Sequence, residues 1–315
     1  MNLALEQHVF DTLAREDGFF MLWRNNNAVI IGLHQNTAEE VDLSYADGNG
    51  IKIVRRLSGG GAVFHDLGNL NFTFITNAEN AEKVDAEHFT RPIAEALECL
   101  GVEIMISGRN DMTINGRKFS GNASCLRGGR LLYHGTLLFD TDLDKMSSVL
   151  RVSNDKIVSK GISSVRDRVT NIRDHLPQSM SLDDFWAHMR RSVAADMPVY
   201  MLAGRDIDAV DTIRRERYDT WDWNFGRSPG YSIIKKRLVP GFGTIRICME
   251  VKDGKIAAYK TDGDYFGNRL CDGVAAALYG ARLAPDALRT ALSGLVLDEY
   301  YRGLGTDELV GLIIE

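Results

Sequence analysis

Apolar residues recur along this chain at spacings that distinguish helices from strands. Apolar positions four residues apart between Leu5 and Leu13 predict a helix over 2–15. A second helix is expected over 92–100, and another begins after the capping pattern at 181–184. Continuous or alternating apolar runs predict extended segments at 29–32, 51–56, 71–75, 102–106, 111–120 and 131–139.

The composition changes near a tryptophan-rich stretch, 220–230, which ends in Pro229-Gly230 and is typical of a domain boundary. Beyond it, apolar residues alternate over 245–251 as in a strand, and two helices are expected. We therefore predict a larger domain over 1–225 and a small α+β domain over 226–315.

Composition and charge exclude several classes of protein. The chain has 315 residues, of which 44% are hydrophobic, and a formal net charge of −6. This acidic balance argues against a general nucleic-acid binder. No apolar run approaches the ~18 residues that a membrane helix needs, and we expect no signal peptide. Scattered cysteines at 99, 125, 248 and 271 favour a cytoplasmic protein without a zinc site or disulfides.

One segment carries most of the chemical information: Arg55-Arg56-Leu57-Ser58-Gly59-Gly60-Gly61-Ala62 follows a predicted strand. Consecutive glycines accept positive φ angles, and their exposed N–H groups form a nest for anions. Two guanidinium groups beside such a nest suit a phosphate or a carboxylate. Because side chains alternate across a strand, we expect Arg56 to face the ligand and Arg55 to lie at the surface. A tight turn without a ligand is the alternative.

A lysine in a second segment, Lys118, follows a predicted Asn115-Gly116 turn and has small neighbours that leave room for a ligand. An ammonium group suits an α-phosphate and the negative charge that develops in a transition state. The upstream pair Asn110-Asp111 offers a carboxylate for Mg²⁺ or a ribose hydroxyl. A solvated lysine beside a turn is the alternative.

A third basic segment, 160–171, either covers a phosphate or forms a solvated loop face. His34, His65 and His134 lack carboxylates or thiols at metal-ligand spacing, so we expect satisfied, partly buried rings. Cys125 falls in a predicted loop, where it is either a nucleophile with a base nearby or an ordinary small residue.

Taken in order, these segments resemble the A-type lipoate–protein ligases of the biotin/lipoate ligase superfamily. The resemblance is carried by Arg55-Arg56-x-Ser58-Gly59-Gly60-Gly61-Ala62-Val63-Phe64-His65-Asp66-x-Gly68-Asn69, Ser107-Gly108-Arg109-Asn110-Asp111, Gly116-Arg117-Lys118-x-Ser120-Gly121, His134-Gly135-Thr136-Leu137-Leu138, Lys160-Gly161-Ile162, Ser164-Val165-Arg166-x-Arg168-Val169-Thr170-Asn171 and Trp221-Asp222-Trp223-Asn224-Phe225-Gly226. It implies an α+β fold with a mixed sheet and flanking helices, followed by a small α+β C-terminal domain.

The resemblance also implies an activity. Such ligases activate lipoate with ATP and Mg²⁺ to lipoyl-AMP, releasing pyrophosphate. They then transfer the lipoyl group to a lysine of an apo lipoyl domain, in E2 subunits of 2-oxoacid dehydrogenases or in the glycine-cleavage H protein. The expected role is cytoplasmic salvage of the cofactor, without a nucleic-acid or membrane partner.

Roles for individual residues follow from the same resemblance. Lys118 would bind the lipoate carboxyl and the α-phosphate. The nucleotide would be held by Lys118 together with Arg56, Gly61, Ala62, Val63, Phe64, Asn110 and Asp111, with Asp111 also the candidate Mg²⁺ ligand. Lipoate would contact Lys118, Ser58, Gly59, Gly60, His65 and Trp23, with Val63 and Phe64 in the tunnel wall. The loop covering the adenylate would include Lys160, Gly161, Ser164, Arg166 and Arg168.

The sequence departs from the family in two respects, before the Asn2-Leu3-Ala4 segment and at Cys125, and it leaves two alternative functions open. The family usually has a strand before the Asn2-Leu3-Ala4 segment, so either that strand is absent or the start of the sequence is misassigned, and an exposed sheet edge is expected. One alternative is an ATP-independent octanoyl- or lipoyl-transferase that acts through Cys125. The other is a non-catalytic lipoyl-adenylate binder. The Gly-Arg-Gly-Arg-x-Gly-Arg signature of biotin ligases is absent.

Overall fold

The computed structural model describes residues 1–13, 18–35, 37–77, 86–107, 111–151, 168–225, 233–252, 255–282 and 285–314. The chain forms two compact units. The first comprises Met1–Ile30, Ala38–Val54 and Val63–Asn224, and the second comprises Ile31–Thr37, Arg55–Ala62 and Phe225–Glu315. By its contacts the glycine segment therefore belongs to the second unit. The predicted boundary at 225/226 borders residues outside the description and stays a prediction.

The first unit is built on β-strands, most of them paired antiparallel, that are flanked by helices. Its strands, with the ends of two assigned to the second unit, are β1 (Phe19–Trp23), β2 (Ala28–Ile31), β3 (Lys52–Arg55), β4 (Val63–His65), β5 (Asn69–Asn77), β6 (Met105–Ser107), β7 (Asp111–Ile114), β8 (Arg117–Arg127) and β9 (Arg130–Leu138). Its helices are α1 (Asn2–Asp11), α2 (Thr37–Glu40), α3 (Leu43–Gly48), α4 (Ala86–Glu98), α5 (Leu143–Val149), α6 (Leu182–Ala194), α7 (Gly204–Ile213) and α8 (Trp221–Asn224). The described strands form a six-stranded sheet, β1-β5-β9-β8-β7-β6, and a three-stranded sheet, β3-β2-β4. Among the described strands, β1 and β6 are the outer strands of the larger sheet. The exposed edge expected near the start of the chain stays a prediction.

Helices α4 and α6 help to form the core beside the larger sheet. Residue Ser181 caps α6 by accepting a hydrogen bond from the backbone N–H of Asp184, as the capping pattern predicts. Helix α4 begins at Ala86 rather than at Pro92. The earlier start buries Phe89, and apolar burial offsets the hydrogen bond that a proline inside a helix cannot make.

A bulged hairpin joins β7 and β8. Residues Asn115 and Gly116 both have positive φ, 51° and 76°, which confirms the predicted turn. Met112 pairs with Ser120 and Thr113 with Lys118, so Phe119 is an extra residue between the paired positions. The Phe119 side chain is fully buried in the main core.

The second unit contains its own sheet and core. Its strands are β10 (Ile233–Val239), β11 (Gly243–Lys252) and β12 (Lys255–Gly263), and its helices are α9 (Asp272–Leu278), α10 (Pro285–Leu292) and α11 (Thr306–Ile314). The strands pair in the order β10-β11-β12. Ile245, Ile247 and Met249 alternate on one face of β11 and are buried with Val274 and Leu288, as the sequence pattern predicts.

Two expectations about local structure are wrong. The strand expected over 102–106 is shorter and begins at Met105, because Val102 is instead buried beside the end of α4. Cys125 lies in β8 rather than in a loop, and its side chain is buried. None of the helices that the structure describes is long and apolar enough to cross a membrane.

Candidate functional site

Lys118 lies near the start of β8, and its ammonium group meets the carboxylate of Asp111 at the start of β7. The distance from Lys118 Nζ to Asp111 Oδ1 is 2.7 Å. The two side chains are 40% and 39% exposed, so the ion pair is open to solvent. An exposed pair of this kind is weak, because water screens it and two mobile side chains must be ordered.

Gly121 provides the space in which the ammonium group lies. A Cβ atom at this position would be 2.8 Å from Lys118 Nζ and 2.9 Å from its Cε. Gly121 also pairs with Asp111 across the hairpin, and its N–H donates a hydrogen bond to Thr136 Oγ1 over 3.3 Å. The absence of a side chain therefore lets Lys118 reach across to Asp111.

The backbone of Lys118 is held independently of its side chain. On one side it pairs with Thr113, and on the other it forms a parallel bridge to Val169. The N–H of Thr170 donates to the Lys118 carbonyl over 2.9 Å. The end of the predicted covering segment, with half-buried Arg168, therefore leads directly to Lys118. Asn110, Lys160, Gly161, Ser164 and Arg166 lie outside the described residues.

A buried polar network includes the predicted tunnel residue Trp23. The indole Nε1–H of Trp23 donates to Thr73 Oγ1 over 2.8 Å, and the Thr73 hydroxyl donates to Glu6 Oε1 over 2.7 Å. His134 Nδ1 lies 2.9 Å from the same Glu6 oxygen. Thr73 and His134 are paired on β5 and β9. Glu6 was not predicted as a site residue, although a carboxylate on the buried face of α1 could have signalled it.

His65 lies beside Trp23, with the ring centroids 5.9 Å apart in an edge-to-face arrangement. Its Nδ1 lies 3.1 Å from the side-chain amide nitrogen of Asn25. The neighbouring Phe64 is buried and pairs with β2, whereas Val63 is half-buried. The structure thus brings two of the predicted lipoate contacts together, with Trp23 on β1 of the larger sheet and His65 on β4 of the smaller one.

Arg56 organises the glycine segment in the second unit. Its guanidinium donates to Ser58 Oγ over 3.0 Å and to the carbonyls of Gly59 and Gly61 over 2.6 and 2.8 Å. Arg56 and Ser58 are both buried. The Arg56 side chain therefore stabilises the glycine loop by donating hydrogen bonds to two of the loop's carbonyl groups.

The glycines of this loop are less open than expected. Gly59 and Gly60 are buried, and a Cβ at Gly59 would be 2.5 Å from the carbonyl oxygen of Tyr265. Gly60 has a φ of 87°, which favours glycine. The prediction of exposed N–H groups is wrong for these two glycines, because the chain at Tyr265 packs against them. Gly61 and Ala62 are half-buried.

Arg55 is buried, so its predicted surface position is wrong. Its Nη1 donates to the carbonyls of Gly32, Leu33 and Gln35 over 2.9, 3.1 and 2.7 Å. Burial lowers the pKa of Arg55 to about 10, and the charge of Asp262 opposes that shift. Three carbonyl dipoles explain how a charged group is accommodated inside the unit.

Two models of known families match consecutive parts of the chain. The lipoyl protein ligase A/B catalytic domain matches residues 1–194, and the bacterial lipoate protein ligase C-terminus matches residues 228–313. The chain belongs to the lipoate–protein ligase family. The family that the sequence motifs indicated is thereby confirmed.

A curated relative of this ligase family agrees with the chain over its full length, and solved structures of the family share the fold of its larger part. The chain is 41% identical to the lipoate-protein ligase LplJ of Bacillus subtilis, covering 99% of this chain and 96% of the relative. A bi-partite lipoate protein ligase of Thermoplasma acidophilum, studied with its E2 lipoyl domain, is 30% identical, with a TM-score of 0.62 over 74% of this chain and 93% of that chain. A lipoate-protein ligase A bound with ATP is 28% identical, with a TM-score of 0.60 over 71% and 92%. The predicted α+β fold is confirmed.

One carboxylate beside Lys118, that of Asp111, is a candidate ligand for a metal ion. Within the described ranges, no group of three or more histidine, cysteine, aspartate or glutamate side chains is placed to hold a metal ion. Asp111 contributes a half-exposed carboxylate. Mg²⁺ is commonly held by one or two carboxylates together with substrate phosphates, so Asp111 fits a cation that arrives with a nucleotide.

Proposed function

We propose that this member of the family is an ATP-dependent lipoate–protein ligase whose reaction centre is Lys118. It joins lipoate to AMP and then passes the lipoyl group to a lysine of an acceptor protein. The observation that carries the proposal is the half-exposed ammonium group, held over Gly121 on a backbone fixed from both sides.

The charge of Lys118 suits both steps of this reaction. In the first step, a lipoate carboxylate oxygen attacks the α-phosphorus of ATP and pyrophosphate leaves. Negative charge grows on the α-phosphate oxygens, and an ammonium group fixed beside them stabilises that charge. In the second step, the acceptor amine attacks the acyl carbon and AMP leaves with its negative charge. A group that interacts more strongly with the transition state than with the ground state accelerates the reaction.

We propose that the lipoate chain lies along Trp23 and His65, with Val63 and Phe64 in the same wall. The indole of Trp23 is fixed through Thr73 and Glu6, so this part of the wall is rigid. A rigid apolar wall lowers the entropy cost of ordering a flexible acyl chain. Ser58, Gly59 and Gly60 are assigned to the same ligand.

We assign the nucleotide to the remaining predicted residues. These are Arg56, Gly61, Ala62, Val63, Phe64, Asn110 and Asp111, together with Lys118. Asp111 would hold a Mg²⁺ ion that neutralises phosphate charge when it is bound. The covering loop, with Lys160, Gly161, Ser164, Arg166 and Arg168, would exclude water and so protect the mixed anhydride from hydrolysis.

We propose acceptors of the lipoyl-domain class, in E2 subunits or the glycine-cleavage H protein, and a cytoplasmic location. The structure of the Thermoplasma relative was studied with its E2 lipoyl domain, which supports this acceptor class. A panel of apo acceptors incubated with lipoate, ATP and Mg²⁺ would establish which of them is preferred.

The deciding experiment compares variants in that complete mixture. Lys118→Ala should lower pyrophosphate release by about 10²-fold or more, as expected when a fixed charge that stabilises a transition state is removed. Lys52→Ala, which changes an exposed lysine on β3, should leave the rate unchanged. Lipoylation without ATP, or full activity of Lys118→Ala, would contradict the proposal.

A transferase that acts through Cys125 is less well supported. The Cys125 side chain is buried within β8, whereas a nucleophilic thiol must reach its substrate as an accessible thiolate. Cys125→Ser should therefore keep ligase activity. Tight binding of lipoyl-AMP without transfer to any acceptor would instead indicate a non-catalytic adenylate binder.

A further inference from the structure

The ion pair between Lys118 and Asp111 places a carboxylate on the ammonium group that the proposed function assigns to lipoate. Lys118 Nζ and Asp111 Oδ1 are 2.7 Å apart, which is a direct charge-assisted hydrogen bond. The proposed substrate presents the same chemical group, a carboxylate, to the same nitrogen. Two carboxylates competing for one ammonium group would weaken each other's binding.

The structure separates what holds Lys118 in place from what contacts its charge. The backbone of Lys118 is fixed by pairing with Thr113 and Val169 and by the N–H of Thr170. Gly121 leaves space for the end of the side chain. The position of the Lys118 backbone therefore does not depend on Asp111, and the partly exposed ammonium group can exchange one acceptor for another at the same place.

The exposure of the pair also makes exchange possible. Because both side chains are about two-fifths exposed, water can solvate the carboxylate that is released. A deeply buried pair could not be opened in this way without a large desolvation cost. The geometry is therefore that of a replaceable contact rather than of a permanent structural ion pair.

We propose that Asp111 is a placeholder, which occupies the carboxylate position on Lys118 in the free protein and is displaced by the carboxylate of the acyl substrate. The inference rests on the proposed function, because it takes lipoate as the incoming ligand. It assigns Asp111 a role in substrate affinity that is separate from any contact with a metal ion.

The test is the affinity for lipoate alone, measured calorimetrically without nucleotide and with EDTA present. Asp111→Asn removes the competing charge and should lower the Kd for lipoate about two- to five-fold, the range expected for an exposed ion pair. This gain should shrink in about 0.5 M salt, because exposed charges are then screened. Asp111→Glu keeps a carboxylate and should not bind lipoate more tightly than the wild type.

Asp140→Asn is the matched control, because Asp140 forms an ion pair with Arg173 at similar exposure, 49% and 47%. It should leave the Kd for lipoate unchanged. An unchanged or higher Kd for lipoate in Asp111→Asn would overturn the placeholder role. It would indicate instead that Asp111 only positions Lys118 or a metal ion. If the wild type ligates lipoate but this shift is missing, the placeholder alone fails; if the wild type does not ligate lipoate, the proposed function fails.

Discussion

Glu6 and His134 meet inside the first unit, where Oε1 of Glu6 lies 2.9 Å from Nδ1 of His134 and both side chains are buried. The same carboxylate oxygen accepts the hydrogen bond from Thr73, which in turn accepts one from Trp23. A single carboxylate on α1 therefore fixes side chains on β1, β5 and β9. This arrangement connects the N-terminal helix to the proposed wall for the acyl chain.

The first prediction concerns this carboxylate. Glu6→Ala removes the buried carboxylate that accepts from Thr73 and lies beside His134, so we expect a loss of about 3 kcal/mol in the free energy of unfolding. Glu6→Gln keeps a carbonyl oxygen and should lose less. Urea unfolding measures both values. Glu98→Ala, at the exposed end of α4, is the control and should change stability little. Equal stability of Glu6→Ala and wild type would show that the network is not structural.

The second prediction concerns the space beside Lys118. Gly121→Ala places a methyl group 2.8 Å from Nζ, so the flexible lysine must move while the backbone stays in place. We expect kcat/KM for ligation to fall by about 10²-fold, as for a reacting group misplaced by about 1 Å, with little change in Tm. Gly48→Ala meets nothing within 4 Å and should be active. A fully active Gly121→Ala would mean that the position of the ammonium group does not limit the reaction.

The third prediction compares two neighbouring glycines. A Cβ at Gly59 would be 2.5 Å from the Tyr265 carbonyl oxygen and 3.0 Å from Phe266 Cα, whereas one at Gly61 would meet nothing within 4 Å. Gly59→Ala should therefore lower the free energy of unfolding by about 1–3 kcal/mol, and Gly61→Ala should leave it nearly unchanged. Thermal and urea unfolding check the difference. If both variants were equally stable, the contact between Gly59 and Tyr265 would not exist in solution.

The fourth prediction concerns the dependence of stability on pH. Burial, with a smaller contribution from the charge of Arg55, lowers the pKa of His34 to about 4, while its hydrogen bond with the Gly267 carbonyl opposes the shift. Because the folded value lies below the unfolded value of about 6.5, the unfolded chain binds the proton first as the pH falls. Stability should therefore decrease between about pH 6.5 and pH 4, by up to about 3 kcal/mol.

Urea unfolding at pH 7.5 and pH 5 measures this effect. His34→Gln should remove that part of the pH dependence, because glutamine does not titrate. His88→Gln, which changes an exposed histidine on α4, should keep the wild-type slope. An unchanged slope in His34→Gln would assign the acid sensitivity to other groups.

Arg55 and Arg56 show why part of the site escapes sequence reasoning. Alternation along a strand assigns the two arginines to opposite faces, and it suggested that one of them would be solvated. Both are buried, because carbonyl groups from 32–35 surround one guanidinium and carbonyl groups from 59–61 surround the other. These carbonyl groups lie in turns, and the fold decides where the turns run. Alternation along a strand therefore cannot predict that they surround the two guanidinium groups.

The sequence by itself determined the family and many of the elements. Helical and strand spacings, the Asn115-Gly116 turn and the order of the motifs are local properties, and local backbone preferences are expressed wherever the segment lies. Only the tertiary structure decided which distant residues meet. The pairing of Lys118 with Asp111 depends on a bulge and on the missing side chain of Gly121, and the acceptor for His134 comes from Glu6 in the first helix. The first contact lies within one hairpin but depends on a bulge that the turn residues do not signal. The second joins residues 128 positions apart in the chain, and no local pattern encodes it.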